Sequence, residues 1–153
     1  MGTHINAIRA HLDTMSVPST PSGEEQLVVQ IRGNKFAQIT ATIIAEDSEE
    51  NIGIRFWNMP KVPAERRGEV LEALNTINKS LRWCKFLIDN DEEIVAAIDA
   101  VVTAQTIGPI AHELLMRGAY VVDDASQTFL PALGLDVADY APTSGVEVNV
   151  EGE

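Results

Sequence analysis

Cysteine and long apolar runs are the scarcest features of this 153-residue chain. Cys84 is the only cysteine, so no disulfide can form within the chain, and a reducing compartment is favoured. No segment approaches the ~18 consecutive apolar residues of a membrane-spanning helix. The opening stretch, MGTHINAIRAHLDTM, has no apolar core behind a basic start and does not predict a secretory signal. We therefore expect a cytoplasmic protein that does not enter a membrane.

Basic residues are also few. Eleven lysines and arginines stand against 23 aspartates and glutamates, which gives a net charge of −12 at pH 7. A chain with this charge is repelled by the phosphates of nucleic acids and by anionic membranes. The composition therefore argues against both of these partners and favours another protein as the partner.

The sequence lacks the motifs that catalysis, cofactors and metals require. His112-Glu113 could open a zinc-protease motif, but Met116 stands where the second histidine is required. The acidic run that starts at Asp89 fails as a calcium loop, because Ile94 takes the place of the glycine. No glycine-rich phosphate loop and no GxSxG motif occurs. We expect no catalytic residue, cofactor or metal, and we interpret Cys84 as a core residue.

The first segment predicts an amphipathic helix over residues 3–15. Apolar side chains recur there at three- and four-residue spacing, at Ile5, Ile8, Leu12 and Met15. Thr3 suits the N-cap position. Residues 16–23 are rich in proline and serine, so they predict a linker.

Three alternating segments then predict an antiparallel meander. They are residues 26–32, 35–46 and 52–59. Gly33-Asn34 is typical of a two-residue hairpin turn between the first two strands. One face of the meander is apolar, so it requires a helix to cover that face.

The central unit predicts a helix that leads directly into a strand. Pro60 and Pro63 end the third strand, and a helix follows over about residues 63–81. Its apolar stripe, widened by Leu71, consists of Val70, Leu74, Ile77 and Leu81. Residues 84–89 predict the fourth strand.

Residues 94–102 allow two interpretations. Their alanine content favours a helix, whereas their valines and the preceding turn favour a strand in a hairpin with residues 84–89. We favour the strand and retain the helix as the alternative.

A last helix is predicted from Pro109 to Leu133, with Gly134 as its stop. Its expected buried stripe is Ile110, Leu114, Val121, Ala125 and Phe129. Residues 135–153 predict an acidic, mobile tail, with a short edge strand at residues 146–150 as the alternative.

The predicted fold is α+β, in one domain over residues 1–134. Helices lie on one side of an antiparallel sheet, in the order α-β-β-β-α-β-β-α.

Two features point to contact with protein. Seven of the eleven basic residues lie between Arg55 and Lys85, which predicts either intramolecular ion pairs or a surface that meets acidic patches on a second copy. Trp57 and Met59 alternate away from the apolar strand face, so they form a contact site unless another element covers them. The candidate partner-binding residues are Arg55, Trp57, Met59, Arg66 and Arg67.

Three short motifs carry a family resemblance. Val62-Pro63-x-Glu65-Arg66, Leu74-x-x-Ile77-Asn78 and Lys85-Phe86-x-Ile88-Asp89 resemble the YbjN-type bacterial sensory transduction regulators. The resemblance implies the fold of class I type III secretion chaperones, which are small, acidic, dimeric α+β proteins. It implies no catalytic residue, and it implies binding of a non-globular segment of another protein along an apolar surface. The alanine-rich residues 94–102 and the long acidic tail depart from the family pattern.

The favoured function is a non-enzymatic, cytoplasmic, homodimeric protein-binding module, chaperone-like or regulatory. The alternative is a small-ligand sensor or enzyme that uses a cleft beside the sheet, lined by the arginines and Glu65. A structural subunit of a larger assembly is a third interpretation.

Overall fold

The structure, a computed structural model, describes residues 1–143. Its helices and strands are α1 Thr3–Thr14, β1 Thr20–Pro21, β2 Gln26–Arg32, β3 Gln38–Ile44, β4 Asn51–Trp57, α2 Arg67–Lys79, β5 Lys85–Ile88, β6 Ile94–Val101 and α3 Ile107–Ala132. Short 3-10 helices precede α2, at Ala64–Arg66, and follow α3, at Val137–Tyr140. The predicted α+β class and element order are confirmed, and β1 is an addition within the predicted linker.

The strands form one antiparallel sheet in the order β1-β2-β3-β4-β6-β5. Strands β2, β3 and β4 are neighbours in chain order, as the meander prediction requires, and β1 pairs with β2. The hairpin of β5 and β6 then folds back, so that β6 pairs with β4 and β5 becomes an edge. The prediction of a strand over residues 94–102, paired with the preceding strand, is therefore confirmed.

The helices cover one face of the sheet. Strand residues such as Leu27, Ile43 and Ile54 alternate onto that face, where they join one buried core with α1 and α3. Helix α3 contacts both α1 and α2 and crosses β3, β4 and β6. No helix within residues 1–143 has the length and apolar character to span a bilayer.

Helix α3 buries a different stripe from the predicted one. Ala125 and Phe129 are buried as expected, but Ile110, Leu114 and Val121 are only partly buried. The buried stripe consists mainly of small and medium residues, among them Ala111, Leu115, Gly118, Ala119, Val122 and Ser126. Small residues let the helix backbone approach the sheet closely, whereas the large apolar side chains used for the prediction lie on the flank of the contact.

Helix α2 is buried along a narrower stripe than predicted. Val70 and Leu74 are buried and Ile77 is partly buried, but Leu71 is exposed. The helix packs mainly against α3 and β5, and Leu71 lies away from this contact. Its expected contribution to the core is wrong.

The connection between β2 and β3 is longer than the predicted two-residue turn. Pairing stops at Arg32 and Gln38, and residues 33–37 form the loop. Buried Asp123 of α3 accepts hydrogen bonds at 2.8 Å from the backbone N–H groups of Lys35 and Phe36. A tertiary anchor, absent from any local turn pattern, therefore shapes this loop.

The folded region continues beyond Gly134, where the acidic tail was expected to begin. Leu135, Val137 and Tyr140 pack against the core. The Tyr140 ring stacks on Phe36 at 5.9 Å between centroids, and its carbonyl oxygen accepts a hydrogen bond from Ala37 N–H. The possible edge strand at residues 146–150 lies outside the described residues.

Candidate protein-binding surfaces

The sheet face opposite the helices, here called the outer sheet face, exposes large apolar side chains. Trp57, Leu87 and Val101 are 42%, 42% and 82% exposed. They come from β4, β5 and β6, which are neighbours in the sheet; Trp57 and Leu87 lie towards one end of these strands, and Val101, paired with Asn51, lies at the other end. Exposed aromatic and aliphatic side chains on neighbouring strands are typical of contact surfaces.

Arg55 and Trp57 lie on this face, as alternation in the strand predicts. The Arg55 guanidinium is 3.1 Å from Asp99 Oδ1 and donates to the carbonyl oxygen of Ile98. The Trp57 indole N–H donates to Thr42 Oγ1 at 2.9 Å. Both side chains therefore have fixed orientations while they remain partly open to solvent.

Met59 does not share the exposure of Trp57. Strand β4 ends at Trp57, and Asn58 adopts a positive φ of 66°, which breaks the strand alternation. Met59 consequently points inward and is 5% exposed. Its expected place on an exposed apolar patch is wrong.

Arg66 and Arg67 lie at the start of α2 and make intramolecular contacts. Arg66 donates to the carbonyl oxygen of Ala132, at the end of α3, and also pairs with Glu69 at 3.2 Å. Arg67 forms an ion pair with Glu92 in the β5–β6 turn. The structure thus brings Arg55 and Trp57 together on the sheet and places these two arginines on the helix side.

A second apolar surface lies on the helix side, between the α2–β5 connection and α3. We call it the helix groove. Trp83, Met116 and Tyr120 line it and are 58%, 40% and 71% exposed. Partly buried Val121 and Leu81 contribute to its floor.

Two cavities occupy the helix groove, one on each side of Tyr120. The first, of about 390 Å³, is lined by Trp83, Met116 and Tyr120. The second, of about 310 Å³, lies further along α3 and is lined by Tyr120, Ile77 and Ala125, among others. Tyr120 and Val121 line both, so the cavities are adjacent.

Charged side chains line the groove wall, and one of them holds Trp83 in place. The Arg117 guanidinium lies 5.3 Å from the centre of the Trp83 ring and donates to Glu113 at 2.6 Å. This cation–π contact fixes the tryptophan while leaving it exposed. Arg82 lines a smaller adjoining cavity, and neither it nor Lys79 has an ion pair within residues 1–143.

Cys84 also borders the groove, but its thiol is buried. Burial raises the pKa of the Cys84 thiol to about 11, partly opposed by the charge of Lys85. At neutral pH the group is a protonated thiol rather than a nucleophilic thiolate. Its interpretation as a core residue is consistent with this environment.

The sequence did not lead to the helix groove. Trp83 follows a predicted helix end, and Tyr120 lies next to Val121, which was taken as buried. Once the buried stripe of α3 is placed along Gly118 and Val122, residues 116 and 120 fall on its exposed side. The sequence signal for the groove was therefore the row of small residues in α3, because small residues mark the side of the helix that faces the sheet.

Comparisons with known proteins identify the family. Residues 4–134 match the family model of YbjN, described as "Putative bacterial sensory transduction regulator". A search of curated proteins finds no significant match. The fold is similar to that of a solved structure, described as "YbjN, a putative transcription regulator from E. coli", with a TM-score of 0.59 and 17% sequence identity. The alignment covers 80% of this chain and 91% of that one. The match over most of its length shows that this chain belongs to the YbjN family.

Proposed function

We propose that this protein is a non-enzymatic regulatory module of the cytoplasm that binds a segment of another protein in the helix groove. The observation that carries the proposal is the convergence of Trp83, Met116 and Tyr120, all exposed, on one groove.

The groove has the composition of a binding surface. Tryptophan and tyrosine are enriched among the residues that dominate binding energy, and each buries roughly 150–250 Å² when covered. The whole chain contains only two tryptophans and two tyrosines, and one of each lies here. Exposed side chains contribute little to the core, whereas a partner that covered both would bury most of this area.

The charge of the chain favours regulation through protein contacts. The E. coli relative is described as a putative transcription regulator. A chain with a net charge of −12 is repelled by DNA phosphates, so direct DNA binding by this protein is disfavoured. A regulator with this charge is better suited to act on another protein.

Self-association is a second part of the proposal, and we assign it to the outer sheet face. Trp57, Leu87 and Val101 supply apolar area there, and Arg55 stands beside Asp99. Two copies related by a two-fold axis could exchange these opposite charges across the interface. Light scattering should give a dimer mass for the wild type and a monomer mass for Val101→Glu. A monomeric wild type at high micromolar concentration would remove this part of the proposal.

Affinity capture from the native host tests the binding function. The wild-type protein should retain a stoichiometric partner that Trp83→Ala and Tyr120→Ala lose. Trp57→Ala, which changes an aromatic residue of similar exposure on the other face, is the matched control and should retain the partner. Equal capture by all variants would contradict binding in the helix groove.

A small-ligand sensor is the alternative function, and one cavity supports it. A cleft of about 480 Å³ beside the sheet is lined by Phe36, Asn58, Met59 and Tyr140, among others. Glu65 and the arginines, which were expected to line such a cleft, are not among the residues that line this one. A thermal-shift screen with nucleotides, metal ions and metabolites separates the two functions, because a reproducible rise of several degrees with one compound would favour the sensor.

A further inference from the structure

We infer that the occupant of the helix groove is an amphipathic α-helix with two apolar anchors about seven residues apart and acidic residues along one flank. This inference rests on the proposed function, since it specifies the partner of the same groove.

The two cavities set the spacing of the anchors. One lies beside Met116 and the other beside Ala125, with Tyr120 between them. The α3 residues that line the first cavity and those that line the second are centred about seven residues apart, which is roughly 11 Å at a rise of 1.5 Å per residue. Two turns of a second helix running alongside α3 cover about 11 Å. Anchors at positions i and i+7 therefore fill one cavity each and straddle the Tyr120 ring.

The length of the groove also suits a helix. Its lining on α3 runs from His112 to Thr128, which corresponds to about 24 Å. A helix of about sixteen residues matches this length, and the middle of its apolar stripe would face Val121. Helix-in-groove binding with anchors at helical spacing is a common mode of peptide recognition.

The backbone of the groove walls argues against an extended occupant. The N–H and C=O groups of α3 are paired within the helix. On the opposite wall, the Lys85 ammonium group donates to the carbonyl oxygens of Asn78 and Leu81. An extended segment buried here would find few partners for its own backbone, at a cost for each unpaired group. A helix pairs its backbone internally and avoids this cost.

The charge of the groove rim indicates which residues the bound helix carries on its polar flank. Arg82 lines the α2–β5 wall and has no ion pair within residues 1–143, whereas Arg117, which lies above Trp83, is paired with Glu113. In an otherwise acidic protein, this wall is locally basic. Carboxylates on the facing flank of a bound helix would pair with it, and such pairs favour one orientation over the other.

A designed peptide tests the inference without knowledge of the natural partner. The probe is a peptide of about sixteen residues, without tryptophan or tyrosine, that carries leucines at i and i+7 and glutamates along one flank. Trp57→Phe makes Trp83 the only tryptophan, so its fluorescence reports occupancy of the groove. Saturable binding is expected. Replacing either leucine with asparagine should weaken it about tenfold or more, because burial of each leucine is lost.

Charge reversal tests the flank. Arg82→Glu should weaken binding of the acidic peptide severalfold, and a peptide with lysines on that flank should recover affinity for this variant. Arg32→Glu, the same charge change on an exposed residue of the outer sheet face, is the control and should have little effect. Loss of affinity that is equal for both variants would overturn the assignment of the acidic flank.

Three results would overturn the helical occupant. One is equal binding by a peptide with the same anchors and a central proline, which cannot be a continuous helix. Another is a dimer that Tyr120→Glu converts to a monomer, since the groove would then hold a second copy. The third is a native partner that depends on Trp83 but is not displaced by the probe; in that case the proposed function stands and the helical occupant does not.

Discussion

Asn78 and Phe86 are joined by two hydrogen bonds between a side chain and a backbone. Asn78 Oδ1 accepts from Phe86 N–H at 2.8 Å, and Asn78 Nδ2 donates to the Phe86 carbonyl oxygen at 3.0 Å. Strand β5 is at one edge of the sheet, so its outward backbone groups have no strand to pair with within residues 1–143. The amide of Asn78 takes that place and attaches the end of α2 to the sheet. Both residues belong to the motifs that carry the family resemblance.

Loss of the Asn78 amide should destabilise the fold. Asn78→Ala leaves both Phe86 groups without their protein partner, so we expect the free energy of unfolding to fall by about 1–3 kcal/mol. Urea denaturation followed by circular dichroism measures it. Asn75→Ala, on an exposed position of the same helix, should stay within about 0.5 kcal/mol of the wild type. Equal effects of the two substitutions would show that the Asn78 contact contributes nothing specific.

The sequence predicted those parts of the fold that depend on local periodicity. Residues 26–32 alternate with period two, and this pattern was enough to place β2. The sequence also placed Asn78 and Phe86 in two of the motifs that resemble the family, but it did not predict their contact. That contact requires α2 to end beside β5, which is a property of chain packing rather than of either segment.

The features that were missed depend on residues distant in sequence. Asp123 shapes the β2–β3 loop from α3, and Tyr140 stacks on Phe36 from beyond the expected end of the domain. The helix groove was missed for a related reason, since periodicity identifies an apolar stripe without showing which side approaches the sheet. In α3 the side that approaches the sheet is marked by Gly118, and glycine counts for little on a hydrophobicity scale.

Gly118 should be intolerant of even one methyl group. A Cβ at this position would collide with the Phe56 ring and come within 2.9 Å of Ile98 Cδ1. Gly118→Ala is therefore expected to destabilise the protein by about 1–3 kcal/mol through overpacking, despite the higher helix propensity of alanine. Thermal and urea unfolding of the variant measure the change.

Gly68 supplies the matched control for this substitution. It lies in the first turn of α2, and a Cβ there has no atom within 4 Å. Gly68→Ala should raise the free energy of unfolding by up to about 1 kcal/mol through helix propensity alone. A stabilising Gly118→Ala would mean that α3 does not approach the sheet as closely as described.

Asp47 should make helix α1 sensitive to acid. Thr3 was expected to cap this helix, but Asp47 accepts hydrogen bonds at 2.9 Å from the N–H groups of Thr3 and His4. Hydrogen bonds from His4 and then Thr3 lower the pKa of Asp47 below its ordinary value of 3.8. A lowered folded-state pKa stabilises the fold above the ordinary value, and this contribution is lost as the pH falls through the lower value.

Thermal unfolding across pH checks this sign. Asp47→Asn should have a lower Tm than the wild type at pH 7, and the difference should shrink as the pH falls below about 4. Asp13→Asn, an exposed carboxylate at the other end of α1, controls for the change in net charge. A Tm difference that is constant down to pH 2 would contradict the role of the ionised Asp47 carboxylate.

Cys84 should resist alkylation in the native protein, which bears directly on whether this chain could be a thiol enzyme. Because burial raises its thiol pKa to about 11, roughly one thiol in a thousand is ionised at pH 8. Iodoacetamide labelling followed by mass spectrometry should therefore be at least about 100-fold slower in the native state than in denaturant. The native rate should rise steadily as the pH increases from 8 towards 11. Rapid labelling at pH 7 would instead indicate a thiolate at the edge of the helix groove, and the enzyme alternative would gain the nucleophile that it lacks.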